Sequence, residues 1–352
     1  MNFSPRRART VFGPMLLLGS PLLFLLNGCG GGGSGGGPGV PTPAPTPTGP
    51  PGLILADEFN AGSLDSNRWS VQNSSAYIQR TQLGSNPVFA QDSDGTKYVQ
   101  LPLTTFLPNR APGSPADVTL SGAEFGTKVR YPVGTGLRFE ARMRLPQVSQ
   151  LGLVYAFFLF SSKDNYGGTP PLNIDEIDHE LLSKAFTVQH PFTWTNDYNN
   201  FIIAQPDGKG GTIGDSYGGT PDKTLGQAKG LVAGYNPSNW NVYRIDWQSG
   251  SIKWYVNDVM IRADTGTRVP DEPLGVRFNV WAAKDPATGG WSDAYSATLQ
   301  PAPGAAQSQT FNLDVDWVHV NTLDGKAPAQ SAAVVRSAPN SGPIPMAGYS
   351  SQ

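Results

Sequence analysis

The feature that most constrains the fold is a two-residue alternation of apolar and polar side chains. In the segment LRFEARMRL, residues 137–145, every second side chain is apolar, and three arginines and a glutamate lie between them. Successive side chains of a strand point to opposite faces of a sheet, so this pattern predicts a strand with one buried face. FNLDVDWVHV alternates in the same way, and its predicted buried face consists of Phe311, Leu313, Val315 and Trp317.

Two further segments extend the pattern. SIKWYVNDVMI alternates as far as Val256 and then reaches Asn257-Asp258, which tolerate positive φ and predict a two-residue hairpin turn. LVYAFFLF, residues 153–160, is apolar on both faces and predicts a central strand. No long stretch has the 3.6-residue period of an amphipathic helix. Together with 42 glycines and 32 prolines, these strands predict one all-β domain, an antiparallel sandwich or barrel, over residues 53–323.

The first 28 residues have the organisation of an export signal. Arg6, Arg7 and Arg9 form a basic start, and an interrupted apolar stretch follows over residues 11–26. It ends in Leu-Asn-Gly-Cys, which resembles a bacterial lipobox whose cysteine is diacylated and becomes the mature N-terminus. An ordinary signal peptide with an incidental cysteine is the alternative. Cys29 is the only cysteine of the chain, which favours lipidation and predicts an exported domain without disulfides.

The composition of the flanking segments completes the predicted organisation. Residues 29–52 are rich in Gly and Ser and then in Pro and Thr, as in a flexible and then extended tether, and residues 324–352 predict a poorly ordered tail. A formal charge of −2 favours neither nucleic acid nor an anionic membrane surface as a partner. We therefore expect a monomer that contacts a membrane only through its N-terminal lipid, at the outer membrane or cell surface, or that is secreted.

A row of carboxyl groups in NIDEIDHELL is the strongest chemical signal. On a strand, Glu176, Asp178 and Glu180 share one face, whereas Ile177, His179 and Leu181 face the core. Two carboxyl groups that approach to about 5–5.5 Å form the nucleophile and the acid/base of retaining glycosidases. Crowding also raises one pKa of the row, which suits a general acid near neutral pH.

A solvated acidic strand is the alternative interpretation of this row. Three observations weigh against it. The row follows a strongly apolar strand, which makes an edge position less probable; the chain has eight tryptophans, whose rings suit sugar faces; and its three histidines form no closely spaced metal-ligand pair. No serine or cysteine nucleophile motif competes with the row.

The sequence Glu-Ile-Asp-His-Glu resembles the E-x-D-x-E signature of glycoside hydrolase family 16. The stretch from Leu55 to Trp69 is similar to the opening strand of that family, and GAEFGTKVRYPVGTGLRFEARMRLP, YRIDWQSGSIKWYVNDVMIR, FNVW and VDWVHV are similar to later blocks in the same order. The resemblance implies a concave β-jelly-roll of the concanavalin A-like class, with retaining chemistry and no catalytic cofactor. By it, Glu176 is the nucleophile, Asp178 tunes it, and Glu180 is the acid/base.

The resemblance also predicts substrate-binding residues, although some positions depart from it. The Glu-Asn-Arg triplet of licheninases falls on Glu124, Phe125 and Gly126, so only the glutamate remains. The Asn-x-Trp of the family is matched by Asn279 and Trp281. These departures imply that the chemistry is kept and the sugar differs.

Further tryptophans and one aspartate are candidate site residues. Trp291 stands where a cleft tryptophan is usual, and Trp194 and Trp240 are possible replacement stacking platforms; for each of them a core position is the alternative. Asp316 corresponds to a ligand of structural calcium in many members, or else is a solvated strand residue.

The sequence therefore predicts an exported, lipid-anchored, retaining endo-β-glycosidase that cleaves internal linkages of a polysaccharide, most simply a β-1,3/1,4-glucan. A transglycosylase of the same fold, a non-catalytic carbohydrate-binding jelly roll and a structural surface lipoprotein are the alternatives.

Overall fold

A computed structural model describes the domain region of the chain. The described residues are 52–73, 76–147, 149–162, 174–185, 196–197, 200–203, 205–206, 212–213, 232, 235–265, 269–270, 273–290, 292, 294–327 and 335–336. The predictions at Cys29, Trp194 and Trp291 lie outside these residues. Within them, helical structure is confined to three 3-10 turns, Ser183–Ala185, Pro286–Thr288 and Ala305–Gln307, so a helix with the length and hydropathy of a membrane span is absent from this part of the chain.

The strands of the first half of the chain are β1 Leu53–Asp57, β2 Trp69–Val71, β3 Tyr77–Ile78, β4 Thr81–Leu83, β5 Val88–Gln91, β6 Lys97–Thr104, β7 Leu120–Gly122, β8 Glu124–Thr127, β9 Val129–Arg130, β10 Leu137–Arg144 and β11 Leu153–Ser162. Those of the second half are β12 Ile174–Leu182, β13 Asn196–Asp197, β14 Asn200–Ile203, β15 Gln205–Pro206, β16 Thr212–Ile213, β17 Asn241–Gln248, β18 Ser251–Val256, β19 Val259–Thr265, β20 Gly275–Ala282, β21 Thr310–Thr322 and β22 Val335–Arg336.

Two large sheets form the architecture. An eleven-stranded sheet has the order β19-β18-β17-β10-β21-β6-β7-β4-β3, with β1 paired to β21 and β5 paired to β6. A seven-stranded sheet has the order β13-β12-β11-β20-β8-β2, with β14 also paired to β12. Pairing is antiparallel except between β4 and β7. The all-β sandwich that the alternation predicts and the jelly roll that the family resemblance implies are both confirmed.

The core lies between the two sheets. The apolar positions of β10 are buried at every second residue, as the alternation predicts, and they belong to one cluster with Phe157 and Leu159 of β11 and Trp247 and Trp254 of the eleven-stranded sheet. Burying each large apolar side chain contributes roughly 1.5–3 kcal/mol. This packing fixes the seven-stranded sheet against its partner and thereby fixes the outward face of β12.

The predicted hairpin between β18 and β19 is confirmed. Asn257 and Asp258 have φ of 48° and 65°, and Val256 pairs with Val259 across the two-residue turn. Positive φ at both central residues gives a turn whose twist matches that of the flanking strands.

The predicted face of Trp317 is wrong. On β21, Met143 of β10 pairs with Val315 and Arg142 pairs with Trp317, so Asp316 is an extra residue in a β-bulge. A bulge reverses the alternation beyond it. Val318 and Val320 therefore enter the core, whereas Trp317 lies on the outer face and stacks on His319 at 4.4 Å between ring centroids.

Candidate active site

The carboxylate row lies on β12, in the interior of the seven-stranded sheet. β12 pairs with β11 on one side and with β13 and β14 on the other, so it is not an edge strand. Glu176, Asp178 and Glu180 share one face and are at most 8% exposed. The alternate residues of the strand face the core and are fully buried, as the sequence predicts: Ile177, His179 and Leu181.

Cross-strand register shows which residues share the face of the row, here called the carboxylate face. Directly opposed residues of an antiparallel pair project to the same side of the sheet. Starting from Glu180, the register runs across Ala156 and Asn279 to Glu124. Starting from Asp178, it runs across Phe158 and Arg277 to Gly126. The structure therefore places the predicted Glu124 and Asn279 on the same face as the row.

Two hydrogen bonds, one to the backbone and one from a side chain of β12, tie this strand to the opposite sheet. The indole Nε1 of Trp254, on β18, donates to the carbonyl oxygen of Asp178 at 2.9 Å. A ring nitrogen of His179 lies 3.1 Å from the carbonyl oxygen of Arg244 on β17, and the imidazole stacks on Phe157 with an interplanar angle of 7°. Burial lowers the pKa of His179 to about 4, so its ring is neutral at neutral pH. The row is therefore held by groups on the far side of the strand.

The electrostatics of the row centre on Glu176. The pKa of Glu176 is raised to about 8, chiefly by burial and also by the negative charge of Glu124, although a hydrogen bond with Asp178 and the charge of Arg277 lower it. A proton is thus retained near Glu176 at neutral pH. A nucleophile acts as a carboxylate. The hydrogen bond with Asp178 favours the ionised form of Glu176, as the role implied by the resemblance requires.

A second polar group lies across the sheet from the row. Arg277 donates from Nη1 to Oε1 of Glu124 at 2.6 Å, and Asn279 donates from Nδ2 to Oε2 of the same residue at 3.1 Å. Arg277 is not among the site residues predicted from the sequence. A lone cation inside the mostly apolar strand GVRFNVWA is the signal that points to it.

The two described tryptophans of the predicted subsites lie in different places. Trp281 opposes Val154 on the carboxylate face, is 2% exposed and packs with Val154, Leu182 and Ala294. Trp240 packs against Tyr98 and beneath the guanidinium of Arg144, 4.3 Å from its ring centroid, with partners on the eleven-stranded sheet. The structure therefore does not bring Trp240 to the carboxylate row, because cation–π and aromatic contacts hold it on the other sheet.

The contacts of Asp316 bear on its predicted role as a calcium ligand. Its carboxylate pairs with the guanidinium of Arg142, and burial raises its pKa. Among the described residues there is no group of three Asp, Glu, His or Cys side chains that could hold a metal ion. Calcium prefers six to eight oxygen ligands, so the donor set beside Asp316 fits the ion poorly, and bound calcium stays a prediction.

Comparison with known families gives the site its context. The model of Glycosyl hydrolases family 16 matches residues 86–297, which is 212 of 352 residues. The chain belongs to glycosyl hydrolase family 16. The matched region includes β12 together with β11 and β20 of the same sheet.

Individual relatives are more distant. The chain is 27% identical to xyloglucan endotransglucosylase/hydrolase protein 2 of Arabidopsis thaliana over 202 residues, which is 54% of this chain and 56% of the relative. It is 28% identical to a beta-glucanase of Bacillus licheniformis over 149 residues, 42% of this chain and 47% of the relative. The chain thus spans about half the length of the curated relatives it matches. A solved Bacillus licheniformis beta-glucanase aligns with 20% identity and a TM-score of 0.48, over 78% of this chain and 99% of that one.

Proposed function

We propose that this protein is a retaining endo-β-glycosidase that cleaves internal linkages of a neutral polysaccharide of the β-1,3/1,4-glucan type. The observation that carries the proposal is the position of Glu176, Asp178 and Glu180 on one face of an interior strand of a family 16 domain. Burying three carboxyl groups side by side opposes folding. A pure binding module has no need of that arrangement, whereas a glycosidase uses it.

The charge of the site supports a neutral substrate. Four carboxyl groups, those of the row and of Glu124, lie on the carboxylate face, and Glu124 already pairs with Arg277. A sulfated or carboxylated sugar would place further negative charge beside them, which costs Coulomb energy in a poorly solvated site. Neutral glucans avoid this cost.

The mechanism follows from the order of the row. Glu176 attacks the anomeric carbon, while Glu180 protonates the leaving oxygen and later deprotonates the incoming water. The hydrogen bond with Asp178 favours the ionised form of Glu176. Because Trp254 fixes the backbone at Asp178, the side chains on either side keep their spacing during both steps.

A reducing-sugar assay tests the proposed activity. The protein is incubated with lichenan, laminarin, xyloglucan, agarose and carrageenan, with the Glu176→Gln variant as the matched control. We expect reducing ends from at least one neutral glucan and none from the sulfated carrageenan. Equal release by the variant, or release from carrageenan alone, would contradict the proposal.

Transglycosylation is the second candidate, and the Arabidopsis relative named for both activities is the observation that favours it. The two outcomes differ only in whether water or a sugar hydroxyl attacks the glycosyl-enzyme. A fluorescent oligosaccharide acceptor distinguishes them, because incorporation into long chains without new reducing ends indicates transfer.

We further propose that residues 1–28 are a cleaved lipoprotein signal, that Cys29 is acylated, and that residues 29–52 tether the domain, residues 53–323, to the outer membrane or cell surface. The basic start, apolar stretch and unique cysteine support this proposal. In a Cys29→Ser variant, the exported protein should fractionate as soluble. Unchanged membrane fractionation would contradict lipid anchoring without affecting the proposed chemistry.

A further inference from the structure

We propose that Arg277 takes the place of the arginine that is missing from the substrate-binding triplet at Gly126. It lies opposite that glycine on the neighbouring strand and fixes Glu124. In this way it holds Glu124 and Asn279 in position to bind a neutral sugar ring beside the carboxylate row. This inference rests on the proposed glycosidase function. It makes Arg277 a positioning residue of the site.

The first support is the space at Gly126. Gly126 pairs directly with Arg277 across β8 and β20. A Cβ at position 126 would lie 2.7 Å from Cγ of Arg277 and 2.9 Å from the carbonyl oxygen of Val276. Any larger residue at position 126 would therefore collide with the stem of Arg277, so the missing side chain on β8 and the arginine on β20 are complementary.

The second support is the way Arg277 is held. Its guanidinium bonds Glu124 at 2.6 Å and lies 5.1 Å from the ring centroid of Phe160. The side chain of Glu124 is 2% exposed and that of Arg277 is 13% exposed. A charged hydrogen bond of low exposure fixes both partners far better than a surface ion pair does.

The third support is an unused acceptor beside this pair. Asn279 is 2% exposed, and its Nδ2 is already committed to Glu124. Its Oδ1 is buried and accepts no hydrogen bond within the described part of the chain. Buried polar atoms are rarely left unsatisfied, and a sugar hydroxyl has the donor that this oxygen requires.

These contacts give Arg277 two separable effects. Through Glu124 and Asn279 it acts on sugar binding, and because its own charge compensates that of Glu124, the subsite favours an uncharged ring. It also acts on the row, since the positive charge of Arg277 lowers the pKa of Glu176 and the negative charge of Glu124 raises it. A purely structural arginine would stabilise the fold without a specific effect on sugar binding.

The test compares Arg277→Met, Arg277→Lys and the neutral double variant Arg277→Met/Glu124→Gln. Arg144→Met is the matched control, because Arg144 is 18% exposed and pairs with the 1% exposed Asp314 on the other sheet. For each protein, kcat and KM are measured against pH on the best neutral glucan. The ionisation of Glu176 is followed separately by NMR of protein labelled at the glutamate carboxyl carbon, with Glu176→Gln for assignment.

We expect Arg277→Met to raise KM about tenfold or more, the loss of one well-placed hydrogen-bonding group. The titration of Glu176 and the acid limb of kcat/KM should both move to higher pH. In Arg277→Lys the acid limb should return to its original pH, because an ammonium group keeps the positive charge. KM should recover only in part, because lysine lacks the planar, multiply donating guanidinium group. Arg144→Met should lower the melting temperature and leave KM and the pH profile unchanged.

If Arg277→Met keeps the KM and the Glu176 titration of the unmodified protein, the role of Arg277 is overturned while the proposed function stands. If Arg277→Met does not fold, the neutral double variant decides, since it leaves no unpaired buried charge. It is compared with Glu124→Gln alone: a KM above that of the single variant supports the proposal, and an equal KM overturns it. If the unmodified protein cleaves no glycan, the proposed function fails, and the NMR titration of Arg277→Met still shows whether Arg277 acts on Glu176.

Discussion

The two sheets differ in how their charged residues are arranged. On the outer face of the eleven-stranded sheet, arginines alternate along β10 and each has an acidic partner: Arg138 pairs with Asp246, Arg142 with Asp316, and Arg144 with Asp92 and Asp314. On the carboxylate face of the seven-stranded sheet, Glu176, Asp178 and Glu180 stand side by side along a single strand, and a proton is retained near Glu176.

This difference separates stability from chemistry. Paired charges on the outer face compensate one another, and removing one partner of a buried pair is strongly destabilising. Crowded acids on the carboxylate face oppose folding, and such arrangements are typical of catalytic sites. Changes on the first face should therefore alter stability alone, whereas changes on the second should alter activity without loss of stability.

The largest expected effect is the loss of activity in Glu176→Gln and Glu180→Gln. Each substitution is isosteric and removes one member of a crowded acidic row, so the melting temperature should stay the same or rise. Activity should fall by about 10²–10⁴-fold or more, as for loss of a nucleophile or a general acid. Steady-state kinetics and thermal unfolding of the same samples measure both quantities.

Asp178→Asn is the graded control for this prediction, because a tuning residue should matter less than the nucleophile. Near-normal activity in the Glu176 variant would end the glycosidase interpretation of the row.

The next largest effect concerns the outer face. Arg144→Met leaves the carboxylate of Asp314 buried without its cation, which should lower the free energy of unfolding by about 3–5 kcal/mol. Values of kcat and KM for the folded variant should stay within about twofold, since Arg144 lies on the other sheet. Denaturant unfolding measures the loss of stability. Steady-state kinetics below the unfolding transition measure kcat and KM. A large fall in kcat at full folding would break the separation between the sheets.

Much of this contrast is already present in the amino-acid sequence. Alternation predicts the strands, the hairpin at Asn257-Asp258 and the face shared by Glu176, Asp178 and Glu180, because side-chain direction on a strand follows from local geometry alone. It cannot predict the bulge at Asp316, which depends on pairing with β10 and moves Trp317 to the outer face. Nor can it predict the Glu124–Arg277 contact, since residues 153 positions apart meet only through the order of the strands.

A moderate effect is expected from pH, with opposite signs at two buried groups. The pKa of Glu176 is raised from 4.5 to about 8. Its contribution to the free energy of unfolding is therefore present at low pH and is lost as the pH rises from 4.5 through 8. His179 has its pKa lowered from 6.5 to about 4, so its contribution is present above pH 6.5 and is lost as the pH falls through 4. The loss at His179 amounts to at most about 3 kcal/mol.

Urea unfolding between pH 4.5 and 8.5 measures these slopes. Glu176→Gln should match the unmodified protein near pH 4.5 and become progressively more stable than it as the pH rises. A stability difference that does not change with pH would contradict the buried, proton-retaining state of Glu176.

The smallest effect should come from an exposed ion pair. Asp117 and Lys284 are 3.8 Å apart, and their side chains are 42% and 28% exposed. Asp117→Asn should change the free energy of unfolding by less than about 0.5 kcal/mol and should become neutral at high salt. An effect as large as that of Arg144→Met would show that burial does not govern the value of the outer pairs.

The roles of the two glutamates are tested most directly by azide rescue on an aryl β-glycoside whose phenol leaves without protonation. With Glu180→Ala, Glu176 can still form the glycosyl-enzyme, and azide should then give a β-glycosyl azide after two inversions. With Glu176→Ala, azide should enter the vacated space and give the α-azide by one inversion. Proton NMR of the anomeric centre reads the products. The account predicts β from the first variant and α from the second; the opposite pattern would reverse the two roles, and no rescue of either variant would contradict the claim that the two carboxyl groups flank one glycosidic bond.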